Sequence, residues 1–397
     1  MRFNAARGLD RAFLVVFVVA SGAAAAGAAP AFRVIDVPPV PDPRFLTIAA
    51  VARDSGFADP VIVGGYFDAS IGDRLAFRWR ASEGLTAIDL RASGLERTGA
   101  NHVSEDGRVV IGGGRSGPFA SQPFIWTIDG GGRTFGPTPL LAESTFDHVS
   151  GDGRVAFGTG RGRDGLVFLR SSEQEEREVI PTPWPSGADV ELVGGISATT
   201  PDGSVAVGSF AVGEEGANLI PVVWSEAAGY REIPVPGTAS EVSIRALSES
   251  GSTAAGSYRH EDATFWSAML LDLNGELRAL EDAGDTAAAY ALSGDASVVA
   301  GFYRSGGANR ASVWLASNEY RLTDVADHLA ALGVELRDFS PEIVRSISSD
   351  GRTLFGTGSD SSGTERWFAA VIPEPSVGLL LGLGLAFLSK FRRARLS

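Results

Sequence analysis

Seven glycines, Gly64, Gly112, Gly158, Gly208, Gly256, Gly301 and Gly356, each close a short β-branched run, at intervals of 45–55 residues. A turn precedes six of these runs: Asp106-Gly107, Asp152-Gly153, Asp202-Gly203, Ser250-Gly251, Asp295-Ala296 and Asp350-Gly351. Val61-Ile62-Val63-Gly64 opens the series without that turn. Self-similarity at this period marks an array of units that bury their faces only against one another.

Each unit reads as four strands. The first ends in a Ser-x-Asp-Gly turn, as in His102-Val103-Ser104-Glu105-Asp106-Gly107, and Asp-Gly supplies the positive φ of a tight hairpin. The second strand runs into the closing glycine. A variable loop leads to a third strand with a bulky residue at a shared slot: Trp79, Trp126, Leu169, Trp224, Leu271, Trp314. A fourth strand follows, such as Leu85–Leu90 or Tyr320–Val325. Four short strands at this period imply an all-β chain folded as a seven-bladed β-propeller, with the slot residues as core between blades.

The two ends of the array are complementary. The seventh unit has strands at Ile343–Ser348, Thr353–Phe355 and Trp367–Ile372 but no fourth. A spare strand, Phe32–Val37, opens the array and matches Tyr320–Val325 almost residue by residue. The N-terminal strand is therefore expected to complete the last blade and close the ring, leaving no exposed sheet edges. Between units six and seven, Val325, Leu329, Leu332 and Leu336 fall at helical spacing and predict a short helix within Asp324–Leu336.

Composition narrows the chemistry. The chain has 34 basic and 48 acidic residues, a formal net charge of −14. Seven of the basic residues lie in the end segments, so the body between is more acidic still. Nucleic acid and anionic membrane surfaces, which clustered Lys and Arg recruit, are not expected partners. Lys390 is the only lysine, which removes Schiff-base and P-loop chemistry from the body. With no cysteine there are no disulfides, thiolate nucleophiles or sulfur-ligated metals, and stability has to come from a large core. The expected particle is a monomer.

Both termini carry processing patterns. Arg2, Arg7 and Arg11 precede an apolar core, Ala12–Ala20, and then a small-residue stretch ending near Ala26-Gly27-Ala28, the layout of a secretory signal peptide over about residues 1–29. The far end reads Pro373-Glu374-Pro375, an apolar run Val377–Leu388, and a basic cluster at Lys390, Arg392, Arg393 and Arg395. The run is short of the roughly 20 residues of a stable span, and its cationic end would stay on the cytoplasmic side. This segment, 373–397, resembles the PEP-CTERM sorting signal. The resemblance implies a C-terminal membrane sorting helix, an exosortase-type processing enzyme as partner and transient inner-membrane anchoring. It also implies delivery to the cell surface or an extracellular polysaccharide (biofilm) matrix. The propeller is then residues 30–372. Its units also resemble the HAF repeat family of extracellular proteins, most closely at Ala76-Phe77-Arg78-Trp79 through Asp89-Leu90, and depart from it at Leu169 and Leu271.

No motif commits the chain to catalysis. His102 and His148 occupy one slot in adjacent units, where Ala198, Ala246, Ala291 and Ser346 stand elsewhere. They either face each other on the innermost strands, able to titrate or share a metal, or are packing variants of a small-residue slot. No third ligand stands at metal-like spacing, and no metal or cofactor is expected. The turn aspartates lack the alternating oxygen ligands of a calcium loop, and turn formation accounts for them. Acidic pairs such as Glu175-Glu176, Glu214-Glu215 and Glu261-Asp262 read as solvated surface. Diversity concentrates in the loops between second and third strands: Phe67–Arg74, Arg115–Gln122, Phe210–Leu219, Tyr258–Trp266, Tyr303–Arg310 and Ser359–Arg366. There Tyr258, Arg259, Tyr303 and Arg304 either suit stacking on a sugar and bonding its hydroxyls or are solvated loop. The expectation is a non-enzymatic binding or structural protein with polysaccharide as a ligand. The alternative is a secreted propeller hydrolase acting on polysaccharide.

Overall fold

A computed structural model of the chain describes residues 29–373, apart from 37, 39, 41–45, 118–120, 137–142, 163–164, 173–177, 181–192, 213–217, 261 and 282–285. The signal-peptide pattern, Glu374–Ser397 with Arg392, Arg393 and Arg395, and the acidic pairs at 175–176 and 214–215 lie outside the described residues. Among the described residues no helix is long and apolar enough to cross a membrane.

Seven four-stranded antiparallel sheets follow one another along the chain as the blades of a propeller. Blade 1 comprises Thr47–Val51, Ile62–Asp68, Asp73–Arg80 and Gly84–Ile88. Blades 2 to 6 repeat it, with innermost strands at Glu96–Val103, Glu143–Val149, Val193–Thr199, Ala239–Leu247 and Ala287–Leu292. Blade 7 takes three strands from Ser340–Ile347, Thr353–Ser359 and Glu365–Val371, and its outermost strand is the N-terminal Ala31–Ile35. The register runs from Ala31 opposite Val371 to Ile35 opposite Trp367, so the ring closes as the complementary ends require.

The closing glycines have a steric cause. In every blade the innermost strand carries a β-bulge, and the glycine of the second strand lies against it. A Cβ on Gly64 would sit 1.9 Å from the carbonyl oxygen of Thr47, and one on Gly301 would sit 1.9 Å from that of Ala288. Only glycine lets the two backbones approach so closely.

The turn motif is equally regular. Ser104 Oγ donates to Asp106 Oδ1 (2.6 Å) and accepts from Val109 N (3.0 Å), while Asp106 Oδ1 also accepts from Arg108 N (2.9 Å). The same bonds recur at Ser150/Asp152, Ser293/Asp295 and Ser348/Asp350, and with threonine at Thr200/Asp202. The turn aspartates are thus consumed by their own backbone. Adjacent turns also bond to one another: Asp54 N donates to Glu105 O, Glu105 N to Gly151 O, Asp152 N to Pro201 O, Glu249 N to Gly294 O and Gly294 N to Ser349 O. Ser349 links blade 7 back to blade 1 by donating from N and Oγ to the Asp54 carboxylate, both at 3.1 Å.

Buried apolar side chains fall into seven clusters, one at each blade–blade interface. Trp79, Trp224, Leu169, Leu271 and Trp314 are all buried there, and Trp126 is partly buried against the interface of blades 1 and 2. The alignment of blade 3 needs one correction. Trp79, Trp224 and Trp314 pair with Ile62, Ala206 and Val299, two residues before the closing glycine, whereas Leu169 pairs with Gly158 itself. By register the slot of blade 3 belongs to Ser171, and Leu169 matches Phe77 and Phe124 instead. The predicted helix forms at Val325–Ala331, capped by Asp324 Oδ1 accepting from Asp327 N (3.1 Å), with Val325 and Leu329 in the interface of blades 6 and 7.

Two substitutions probe these constraints. Gly301→Ala forces a side chain against the Ala288 carbonyl and is expected to cost about 3 kcal/mol by chemical denaturation. Ala296, at φ 62°, is the one turn where alanine holds the left-handed position that Gly107 and Gly153 hold elsewhere. Relief of its strain outweighs the added freedom of the unfolded chain, so Ala296→Gly should gain about 0.5 kcal/mol. A loss on that change would mean the alanine methyl is needed for packing.

Candidate functional site

The bulges decide what faces the axis. Each places one unpaired residue between two paired ones: Ala49, Asn101, Asp147, Ser197, Arg245, Tyr290 and Arg345, from blade 1 to blade 7. Six of these line a central channel of about 440 Å³. Asn101 instead reaches to blade 3, its Nδ2 donating to Thr145 Oγ1 (2.9 Å) and Phe146 O (2.8 Å). The following residue in blades 2 to 7, the slot of His102 and His148, also lines the channel, with alanine or serine in blades 4 to 7. Small residues fit there because the inner strands converge on the axis.

The structure brings His102 and His148 together, ring centroids 3.8 Å apart and planes tilted by 32°. The Nδ1 atom of each is buried with no hydrogen-bond partner among the described residues. Burial pushes His102 down to about 4. It also holds His148 well below the ordinary imidazole range, reinforced by the neighbouring His102 and by Arg53. Both rings are therefore neutral at pH 7. Beside them, burial pushes the Asp147 carboxyl up to about 6, against hydrogen bonds from Thr159 and Thr145 that act to lower it. Thr159 Oγ1 donates to Asp147 Oδ2 at 3.0 Å. Among the described residues no group of three or more His, Asp or Glu is arranged to hold a metal ion.

Near the turn end, Arg53 spans several blades. Its Nε donates to Ile347 O (2.8 Å), its Nη2 to Leu292 O (2.7 Å), and its Nη1 pairs with Glu105 (3.2 Å). Burial raises the Glu105 carboxyl, and the charge of Arg53 opposes that rise. On the wall formed by blades 5, 6 and 7, Tyr290 stands between two guanidinium groups, Arg245 at 5.8 Å and Arg345 at 5.5 Å from its ring centroid. Phe302 stacks on Tyr290 at 5.7 Å and holds the ring in place. Arg245 and Arg345 are exposed to the channel and form no ion pair among the described residues.

The four residues singled out in the loops occupy other positions. Tyr258 and Arg259 end the strand Thr253–His260, and Tyr303 and Arg304 lie within Val298–Ser305. Blade 6 has no long loop there, because Gly306 and Gly307, both at positive φ, make a two-residue turn that lets the strands run on to Ser305 and Ala308. Tyr258 packs into the interface of blades 4 and 5, and Arg259 pairs with Glu241. Tyr303 is 8% exposed in the interface of blades 5 and 6, its phenol donating to Asp324 Oδ2 (3.0 Å), which also accepts from Arg310 (2.8 Å). Arg304 alone of the four is exposed without an ion pair among the described residues, its Nε 3.3 Å from Asn309 Oδ1. The structure gathers the two histidines and does not gather these four.

Sequence reasoning missed Asp147, Arg245, Tyr290 and Arg345. A signal existed, since each immediately precedes the slot of His148, Ala246, Ala291 and Ser346.

No family model and no curated protein matches the sequence. Among solved structures the chain is similar to the β-propeller domain of the Trilobed protease from Pyrococcus furiosus, with 9% identity, a TM-score of 0.53, and 82% of this chain and 93% of that one covered. It is also similar to an oligogalacturonate lyase in complex with manganese, at 14% identity and TM-score 0.52, covering 86% and 98%. TolB from Acinetobacter baumannii matches at 15% identity and TM-score 0.42, covering 68% of this chain, which spans 64% of that protein. At such identities the likeness establishes a propeller fold and nothing finer.

The buried histidines set a pH dependence. Unfolded histidine takes up a proton near pH 6.5, whereas folded His102 does so only near 4, so stability falls as pH drops through that window. Asp147 works oppositely: its folded carboxyl gains a proton near pH 6 and the unfolded one only near about 3.9, which adds stability on acidification. Two rings outweigh one carboxyl. The thermal midpoint should therefore fall between pH 6.5 and 4, and fall less in a His102→Ala, His148→Ala double variant, which borrows the residue of Ala198, Ala246 and Ala291. An undiminished fall would show that the rings are not its source.

Proposed function

We propose that this chain is an exported β-propeller that binds a ligand in its central channel, at the cell surface or in an extracellular polysaccharide matrix, without turning it over. One observation carries the reading. Turns, bulges and closing glycines are nearly uniform from blade to blade, while the bulge position changes from each blade to the next, through Ala, Asn, Asp, Ser, Arg, Tyr and Arg, and all but the Asn line the channel. A uniform frame with one diversified, inward-facing column is how a scaffold carries a recognition site. Export rests on the signal-peptide pattern at 1–29 and on the PEP-CTERM resemblance of 373–397, with an exosortase-type enzyme as processing partner.

The competing reading, a polysaccharide hydrolase, would use Asp147, whose carboxyl near 6 suits a general acid. Glycoside hydrolysis needs a second carboxylate across the cleft. The other carboxylate lining the channel, Glu105, is held by Arg53, which favours binding over cleavage.

The purified protein should retain the producing organism's exopolysaccharide on a glycan array and release no reducing ends from it. Release that disappears on Asp147→Asn would establish the hydrolase instead. For export, intact mass of the extracellular protein should lack Lys390–Ser397; finding that segment on released protein would end the sorting reading.

A further inference from the structure

We infer that the channel wall of blades 5, 6 and 7 is a site for a single carboxylate carried on a sugar, a uronic acid residue, held by Arg245 and Arg345 on either side of Tyr290. This rests on the reading of the channel as a binding site and names the ligand class it takes.

The argument begins with charge. In a chain of net charge −14, acidic groups outnumber basic ones and many described arginines are paired with Asp or Glu, among them Arg53, Arg80, Arg91 and Arg310. Arg245 and Arg345 are not, and both line the channel. Two guanidinium groups pointing at one another's neighbourhood repel, so their juxtaposition costs energy until an anion arrives. Tyr290 offsets part of that cost through its ring face, and Phe302 fixes the ring. None of the three side chains has another structural task among the described contacts.

The geometry selects the kind of anion. Each guanidinium presents a planar fork matched to a carboxylate. Between the forks lies an aromatic ring, which suits the apolar face of a pyranose. Polar groups on the remaining wall, Asp147 and Ser197, can bond sugar hydroxyls, and Asp147, where ionised, disfavours a dianion such as phosphate. The acidic body repels a long polyanion at a distance, so the site fits one terminal acidic sugar rather than the middle of a chain. A volume of about 440 Å³ holds one or two sugar units.

Calorimetry at pH 7.5 and low salt tests this with D-glucuronate, D-glucose and inorganic phosphate as probes on the purified protein. Glucuronate should bind and glucose should bind at least about tenfold more weakly, since a hydrogen bond to a charged group is at stake. Arg245→Gln and Arg345→Gln should each weaken glucuronate by about tenfold, and together abolish it. Arg345→Lys, which keeps the charge but loses the fork, should recover only part of the loss. Thermal unfolding of each variant shows whether the ring is intact, and Ser197→Ala, a milder change on the remaining wall, should weaken glucuronate and glucose alike. Glucose binding as tightly as glucuronate, phosphate binding more tightly, or unchanged affinity in the double arginine variant would overturn the carboxylate assignment while leaving channel binding standing. Failure of all three probes to bind also overturns it. Polysaccharide binding that survives every channel substitution would overturn the channel reading itself.

Discussion

The whole molecule hangs on a near-contact between two backbones, repeated seven times. At each closing glycine the second strand comes so close to the carbonyl of the first that no side chain fits between them. That proximity accompanies a bulge, the bulge adds one residue to the inner strand, and in six of the seven blades the added residue lines the channel. The fold and the site are therefore one constraint seen from two sides. The glycines do not act through flexibility; they act through absence of volume.

Around that constraint the blades are joined by two independent systems. Apolar side chains fill seven interfaces, each shared by neighbouring blades, so no blade has a core of its own. On one face, turn-to-turn hydrogen bonds link five adjacent turn pairs, and Asp54 to Ser349 joins the last to the first. Asp54 stands in blade 1, whose closing glycine has no such turn before it, so the exception in the repeat supplies the acceptor that joins blade 7 to blade 1. Such a ring needs no disulfide, consistent with a chain that has no cysteine.

Most of this frame was legible in the sequence because steric and turn constraints act on residue type. Gly64 to Gly356 could be nothing else, Ser104 and Asp106 announce their turn, and the spare strand at residue 32 answers the missing one after Ile372. The register of blade 3 was not legible, because Leu169 and Ser171 are two apart on one face and only Leu169, outside the slot, is bulky. The site was half visible. His102 and His148 stood out against alanine, but Arg245, Tyr290 and Arg345 sit in a column with no common residue type, Ala, Asn, Asp and Ser filling its other places, and only the bulge reveals that they share a direction. The contacts expected at Tyr258 and Tyr303 failed to appear as a surface for a related reason. Chain between two strands reads as loop until the turn is known, and Gly306-Gly307 makes the turn so short that Tyr303 becomes core.

The closure of blade 7 has a mechanical corollary. Ala31 and Val371 are partners at the same end of an antiparallel pair. Tension applied between these two points loads the hydrogen bonds one after another, as in peeling tape, rather than all at once as in shear. A propeller fastened in this way resists heat through its interfaces yet has a seam that parts at low force. Once Ala31–Ile35 lifts away, blade 7 exposes the edge of Glu365–Val371 as a template for another strand. Any attachment pulling on both flanks of the seam would turn a closed ring into a pairing-competent one.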